Sequence, residues 1–418
     1  MTMSHTPRCR TVLSWALLLA PLAVGITACG GSSSDPLADK PYDAAGQVAL
    51  AGVEGGGKAD PDKPLEVRAK GEDRITDVTA TDAAGRYVRG ELDADGSHWR
   101  STVPLAAGAH YTVRVSTEDE DGAQGRRTVG FDTAPADNLL RVKFGPDSGT
   151  YGVGQPVTAE LSRPVKDPAA RAVVERALKV DSQPSVEGAW HWVDGRTLHY
   201  RPREYWPAHA TVRVRSGLAG IKVGPGLHGG PSKPVTLRTG DRIEAITDAG
   251  SHYMTVLRNG KEIRSIPVTT GKPGFSTRNG VKVVLGRESF VRMQGTSIGI
   301  AEGSADSYDL PVHWATRVTW SGEYVHAAPW STGSQGAANV SHGCTGMSTE
   351  AAHWFFDTVR VGDIVKVVNS GGEMMTPFDN GFGDWNLNWR AWREGSALHA
   401  GVREGSGPAD AARLRPGM

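Results

Sequence analysis

Apolar and polar positions alternate with a period of two along much of the first 240 residues. Leu65-Glu66-Val67-Arg68-Ala69 and Val157-Thr158-Ala159-Glu160-Leu161 show the pattern of half-buried strands. Trp190-His191-Trp192-Val193 and Thr197-Leu198-His199-Tyr200 flank Asp194-Gly195, which predicts a hairpin closed by a tight turn. The segment Ala109-His110-Tyr111-Thr112-Val113-Arg114-Val115-Ser116 recurs 99 residues later as Ala208-His209-Ala210-Thr211-Val212-Arg213-Val214. In both copies valines point to one face, Arg and Thr to the other. Two β-sandwich modules of roughly 100 residues each would give this offset. One short helix, near Pro168 to Leu178, is expected to interrupt the second module.

From about Asp241 the pattern changes. Seven of the twelve tryptophans lie between Trp314 and Trp392. Strand-like runs continue at Tyr253 to Leu257, Val281 to Leu285, Arg317 to Trp320 and Tyr324-Val325. Ser348 is a good N-cap, and Glu350 falls in the first turn beside the positive end of the predicted helix. That helix runs from Thr349 to about Val359, puts Ala352, Phe355, Phe356 and Val359 roughly on one face, and ends by Gly362. Asp363 to Val368 reads as a buried strand. A Trp-rich stretch follows, Asp384-Trp385-Asn386-Leu387-Asn388-Trp389-Arg390-Ala391-Trp392.

Composition narrows the classes. The 418 residues carry 46 basic and 46 acidic side chains, so neither a basic nucleic-acid footprint nor the high net charge of a disordered chain is present. Gly (53) and Pro (25) are frequent but follow no collagen period. Arg8 and Arg10 precede an apolar stretch, Val12 to Ile26, too short for a comfortable membrane span. It ends in Ile26-Thr27-Ala28-Cys29 and a Gly/Ser run, which resembles a bacterial lipoprotein signal; the alternative is an ordinary secretory signal cut near Ala28. The resemblance implies cleavage before Cys29, diacylation of its thiol, and a protein anchored by lipid on the outer face of the cell membrane. The chain then divides into a signal (1–28), a flexible tether (29–45), module one (46–140), module two (141–240), a third domain (241–370), a Trp-rich C-terminal subdomain (371–400) and a disordered tail (401–418).

Of the three cysteines, Cys9 leaves with the signal and Cys29 goes to lipid, so Cys344 is left as a lone thiol in an oxidising compartment. Its surroundings are His326-Ala327-Ala328-Pro329-Trp330, then Ser341-His342-Gly343-Cys344-Thr345-Gly346-Met347-Ser348. A nucleophilic cysteine needs a base and backbone N–H groups aimed at the developing oxyanion. Gly343 permits a sharp turn before the thiol. His326 follows a strand and sits on a rigid element, so it is preferred as base over His342, two residues from the thiol around a turn. An intermolecular disulfide and a zinc site on His326, His342 and Cys344 are the competing readings; the latter lacks a fourth ligand.

Ser-His-Gly-Cys preceded by His-x-Ala-Pro-Trp resembles the catalytic domain of the L,D-transpeptidases (YkuD type), peptidoglycan cross-linking enzymes. The resemblance covers about Asp241 to Trp392, and the two preceding modules resemble bacterial immunoglobulin-like spacers. The implied fold is mainly β: two immunoglobulin-like sandwiches, then a β-rich catalytic domain with a short helix after the catalytic Cys. The implied roles are Cys344 as nucleophile and His326 as base. Ser341, His342 and Gly343 match the signature before the thiol, and the Gly343 and Cys344 amides match the oxyanion donors. Tyr308 matches a lid tyrosine, and Met293 and Trp330 match residues lining the substrate path. Two positions depart from the family: Ala327 stands where Ser is common, at a site thought to act through its carbonyl, and Gly346 stands where Asn is common, which puts a substrate contact or loop rigidity in question. The implied partners are donor and acceptor stem peptides, with no metal or organic cofactor and no nucleic acid, and the expected state is a tethered monomer. A sortase-like enzyme needs a downstream site Arg on a strand, whereas Arg360 falls at a helix end; an L,D-carboxypeptidase with the same Cys and a non-enzymatic wall-binding lipoprotein complete the alternatives.

Overall fold

The computed structural model describes residues 40–53 and 58–399. The expected signal, the lipidated Cys29 and the 401–418 tail lie outside these residues, as does most of the tether.

Two sandwiches occupy the N-terminal half. In the first, a sheet ordered Tyr42–Asp43, Gln124–Asp132, His110–Glu118, Arg74–Asp82 shares a core with one ordered Val48–Ala51, Glu66–Ala69, His98–Ser101, Gly90–Leu92. Val67, Trp99, Val113 and Val115 meet in that core, where alternation along each strand sends every second side chain inward. In the second, Val142–Gly145, Val157–Leu161, Thr197–Pro202 and Gly188–Trp192 pair in that order against Gly149–Tyr151, Val235–Thr239, Thr211–Ser216 and Leu178–Gln183. Val212 and Val214 are buried here as Val113 and Val115 are in the first, so the sequence repeat marks equivalent inward faces. The inserted helix spans Pro168–Ala177, with Asp167 capping the Ala170 amide and Pro168 at its first position.

The hairpin around Asp194-Gly195 has a longer connection than a two-residue turn. Residues 193–196 lie between the strands, and the Asp194 carboxylate accepts from the Arg196 and Thr197 amides at 2.6 and 2.8 Å. The aspartate side chain closes the loop itself.

The third domain holds two sheets. One is ordered Lys261–Pro267, Tyr253–Arg258, Ile243–Asp248, Ile364–Val368, Gly280–Val283; the other Gly286–Gln294, Asp309–Arg317, Tyr324–Ala327, Thr345–Met347. The helix Thr349–Thr358 is capped by Ser348 on the Ala351 amide. It buries Ala351, Ala352 and Phe355 in a core with Ile243, Val256, Val325 and Met347. Phe356, expected on the buried face, is only partly buried and packs edge-on against Trp314 at 5.4 Å. The expected Arg317 to Trp320 strand ends at Arg317: Val318 to Gly322 form a turn closed on Thr319 and Glu323, and Trp320 stands exposed. The fold is thus mainly β, with the short helix directly after the cysteine segment.

The Trp-rich segment bridges the third domain, where the Asn386 side chain pairs with the Val281 backbone at 2.8 and 2.9 Å, and the second sandwich. Its helix, Trp389–Glu394, returns to the second sandwich, where Trp392 is fully buried. The Trp392 indole N–H donates to the Ala189 carbonyl at 2.9 Å, and Arg201 lies 4.6 Å from its ring. Asp384, also fully buried, bonds His199 at 2.7 Å. From the other side, the Gly152 and Gly154 amides donate to the carbonyls of Val361 and Gly362 at 2.8 and 2.9 Å.

Candidate active site

The cysteine segment is placed by a parallel strand pair. Tyr324–Ala327 and Thr345–Met347 run side by side, with Val325 opposite Thr345, His326 opposite Gly346, and Ala327 opposite Met347. Side chains alternate, so Val325, Ala327 and Met347 enter the core and His326 takes the opposite face with Gly346. Two residues before Gly346, just ahead of the strand, Cys344 falls on that same face. The thiol and the imidazole are therefore diagonal neighbours across a rigid pair of strands.

Gly346 makes this possible. A Cβ there would lie 2.8 Å from the Ala328 Cβ and 3.2 Å from the Thr269 Cγ2. Its amide and carbonyl both bond Thr269, at 2.9 Å each. The family's frequent Asn could not be inserted here without displacing both neighbours, which gives the departure a packing cause.

His326 is buried, 5 % exposed, and its Nδ1–H donates to the Ala327 carbonyl at 2.7 Å. That bond fixes the tautomer with the Nε2 lone pair free. Burial pushes the imidazole below its ordinary pKa, so it rests neutral. Trp330, half-exposed, stacks on the ring at 6.0 Å. Cys344 rests as a thiol: its S–H donates to the Gly322 carbonyl at 3.5 Å. Burial pushes it up to about 11, with the Tyr324 amide pulling the other way, Glu323 reinforcing and Lys282 opposing. Among the described residues no hydrogen bond joins Cys344 to His326. The pair is a neutral thiol beside a neutral base, suited to proton transfer during attack rather than to a preformed thiolate–imidazolium pair.

The preceding turn is tied down by Ser341, whose hydroxyl donates to the Cys344 carbonyl at 2.6 Å and accepts from the Gly343 amide at 3.1 Å. Gly343 adopts φ +118°, open only to glycine at low cost. Its amide, expected as an oxyanion donor, is thus engaged by Ser341 in this arrangement. The Gly343 carbonyl accepts from Thr277 Oγ1 at 2.8 Å. The His342 ring is boxed between Phe275, edge-on at 4.7 Å, and Tyr308, tilted at 5.0 Å. Its Nε2 is 3.5 Å from Asp306, which Lys272 also holds at 2.5 Å. His342 therefore has the surroundings of a framework residue, and Tyr308 reaches the site from the facing loop.

Two chambers meet at Cys344. One, about 260 Å³, is lined by Met293, Tyr308, Leu310, His326, Trp330, Ser341, His342 and Gly346 and is mostly apolar. The other, about 640 Å³, is lined by Phe275, Ser276, Arg278, Tyr308, Ser321, Glu323, His342 and Gly343 and is polar. All the residues singled out from the sequence for this site line one chamber or both. Sequence reasoning missed the charged wall of the second chamber, Arg278 and Glu323, and the buried Lys282 behind it. Its signal was Lys282 within the apolar run Val281-Lys282-Val283-Val284, where an inward lysine demands a buried partner.

Residues 242–367 match the L,D-transpeptidase catalytic domain (YkuD) and residues 57–222 match a bacterial Ig domain. L,D-transpeptidase 2 of Mycobacterium tuberculosis (strain CDC 1551 / Oshkosh) is 33 % identical over 400 residues, 93 % of this chain and 97 % of that protein. L,D-transpeptidase 5 of Mycobacterium tuberculosis (strain ATCC 25618 / H37Rv) is 31 % identical over 94 % of this chain and 88 % of its own length. A solved LD transpeptidase in complex with imipenem is 37 % identical, covers 55 % of this chain and 100 % of its own, and superposes with a TM-score of 0.48. With a family match that spans the lone thiol and its strand partner, and relatives aligned over nearly the whole chain, this protein belongs to the L,D-transpeptidases and is a transpeptidase enzyme built from an immunoglobulin-like N-terminal region and a YkuD catalytic domain.

Proposed function

We propose that the chain cross-links peptidoglycan stems by ping-pong acyl transfer through Cys344. His326 Nε2 takes the thiol proton as sulfur attacks the carbonyl of the third residue, a diamino acid, of a tetrapeptide stem. The C–N bond breaks, and terminal D-Ala leaves with that proton. The oxyanion is received by the Cys344 and Gly343 amides and the Tyr308 hydroxyl, with Gly343 exchanging its resting bond to Ser341 for it. Losing one such donor typically costs about 3 kcal/mol of barrier stabilisation. The side-chain amine of a second stem then attacks the thioester, forming a 3→3 amide and freeing the thiol. Water attacking instead gives the L,D-carboxypeptidase outcome. The observation that carries this reading is the shared strand face of Cys344 and His326, with a chamber on each side for two stems. Met293 and Trp330 would line the apolar path. Anchoring through Cys29 on the outer face of the membrane, with the sandwiches as spacers and the protein a monomer, completes the proposal. Carbapenem-type β-lactams, which mimic the acyl donor, are expected to acylate Cys344.

Incubating wild type and Cys344→Ala with purified disaccharide tetrapeptide should give D-Ala loss and dimer, read by mass, with wild type alone. Product from the variant would end the covalent mechanism. His326→Ala should abolish acyl-enzyme formation while His342→Ala only weakens it; the reverse order would transfer the role of base to His342.

A further inference from the structure

A charge cluster behind the Cys344 loop has no part in the chemistry above. Lys282 is fully buried, and its ammonium bonds one Glu323 carboxylate oxygen. The other Glu323 oxygen accepts from the Arg278 amide at 3.1 Å and from Arg278 Nη1 at 3.0 Å. One carboxylate thus stands between two basic side chains; burial disfavours the charged form of Lys282, with Glu323 opposing that shift, while the Arg278 guanidinium keeps its charge. Lys282 has no path to solvent, and the Glu323 side chain is 8 % exposed, but that of Arg278 is 40 % exposed. The cation of the cluster that reaches solvent is therefore Arg278. Glu323 and Ser321 engage Nη1 of its guanidinium, the other donors of the fork have no partner among the described residues, and Arg278 lines the 640 Å³ chamber that opens onto Cys344. Glu373, the other carboxylate lining that chamber, is exposed at its rim.

A planar cation held from behind and presented beside a nucleophile suits a carboxylate. In a tetrapeptide donor, the residue expelled carries a free carboxylate one carbon from the departing nitrogen. We propose that Arg278, held by the buried Lys282–Glu323 pair, is the subsite for a stem carboxylate, that of the donor's terminal residue. It thereby selects stems that end one residue past the scissile bond. This rests on the acyl-transfer reading of the site. Lys282 and Glu323 act through Arg278 as positioning residues, fixing its fork. A stem longer by one residue moves its carboxylate by about 3.5 Å, out of register with the fork.

The test compares three donors: the disaccharide tetrapeptide, the same stem with its terminal carboxyl as carboxamide, and the same stem with the diamino residue's side-chain carboxyl amidated. Release of the terminal residue gives kcat/KM for wild type, Arg278→Gln and Arg278→Lys. Wild type should favour the free terminal carboxylate over the carboxamide by about 10- to 100-fold, a usual penalty for leaving a charged site unpaired. Arg278→Gln should erase that preference by slowing the free-acid donor, while carboxamide turnover stays within about twofold, which also reports an intact fold. Arg278→Lys should recover part of it. An equal loss on all donors, or no loss, overturns the proposal. Dependence that follows the side-chain carboxyl moves the subsite to the diamino residue and overturns the assignment to the leaving one. Wild type inert toward every donor would instead sink the acyl-transfer reading itself.

Discussion

Cys344 and His326 are each neutral at rest, for one reason: burial disfavours the charged form of both. Free cysteine near neutrality owes its reactivity to its thiolate fraction. With the thiol pushed up to about 11, iodoacetamide labelling of Cys344 should be slow at pH 8 and climb with a midpoint well above that of a free thiol, read by peptide mass. A midpoint at or below 8 would mean a preformed thiolate. Acyl donors should behave differently. His326 stays unprotonated below its usual range, so acylation by a β-lactam should hold its rate into mildly acidic solution and fall only below the lowered imidazole pKa. At this scale the sequence was informative. The residues Ser341 to Cys344 and His326 are legible as chemistry because a thiol in a Ser-His-Gly-Cys turn with a strand-borne histidine upstream has few other uses. The Lys282–Glu323–Arg278 cluster was not, because Glu323 lies over 40 residues from the other two and meets them only where the two sheets come together.

Register decides function at the scale of elements. The register that pairs His326 with Gly346 puts the imidazole on the thiol's face, and Gly346 lets this strand lie close against Ala328 and Thr269; a one-residue slip would turn the imidazole into the core. Gly346→Ala should destabilise the strand pair by about 1–3 kcal/mol, the usual cost of overpacking, and slow acylation as His326 is displaced. The denaturation midpoint and the acylation rate should fall together; an unchanged rate would separate Gly346 from the positioning of His326. Elements ruled by local signals were read correctly from sequence, as with the Ser348-capped helix and the alternating sandwich strands. The Arg317 to Trp320 run was not. Its β-forming composition is overridden by Thr319, whose hydroxyl accepts from the Glu323 amide at 2.8 Å and closes a turn.

Across the whole molecule, the C-terminal segment ties the second sandwich to the catalytic domain. Trp392→Ala removes a fully buried indole stacked on His191 and Arg201 and should cost about 3–5 kcal/mol. Calorimetry should then show the second sandwich and the catalytic domain melting apart; a single unshifted transition would mean the junction does not depend on this anchor. Asp363 lies fully buried at the same junction, and burial pushes its carboxyl up to about 7, against the pull of the Arg360 amide. Below about pH 4 the unfolded carboxyl is protonated too and no penalty exists. Between there and about 7 the unfolded chain ionises first, so stability falls as pH rises, and the loss is complete above 7. Asp363→Asn should leave stability unchanged near pH 4 and raise it at pH 8 on the order of 1–3 kcal/mol. Equal effects at both pH values would exclude this titration.

The sequence by itself determined the class of chemistry, the mainly β architecture and the local elements, because alternation, caps and a rare thiol act over a few residues. Only the tertiary structure decided which histidine shares a face with the thiol. It also decided why position 346 is glycine, that Arg278 is the exposed cation beside the site, and that the tryptophan tail docks its helix on the sandwich. Those outcomes depend on strand register and on contacts between segments up to about 200 residues apart, which no local pattern encodes.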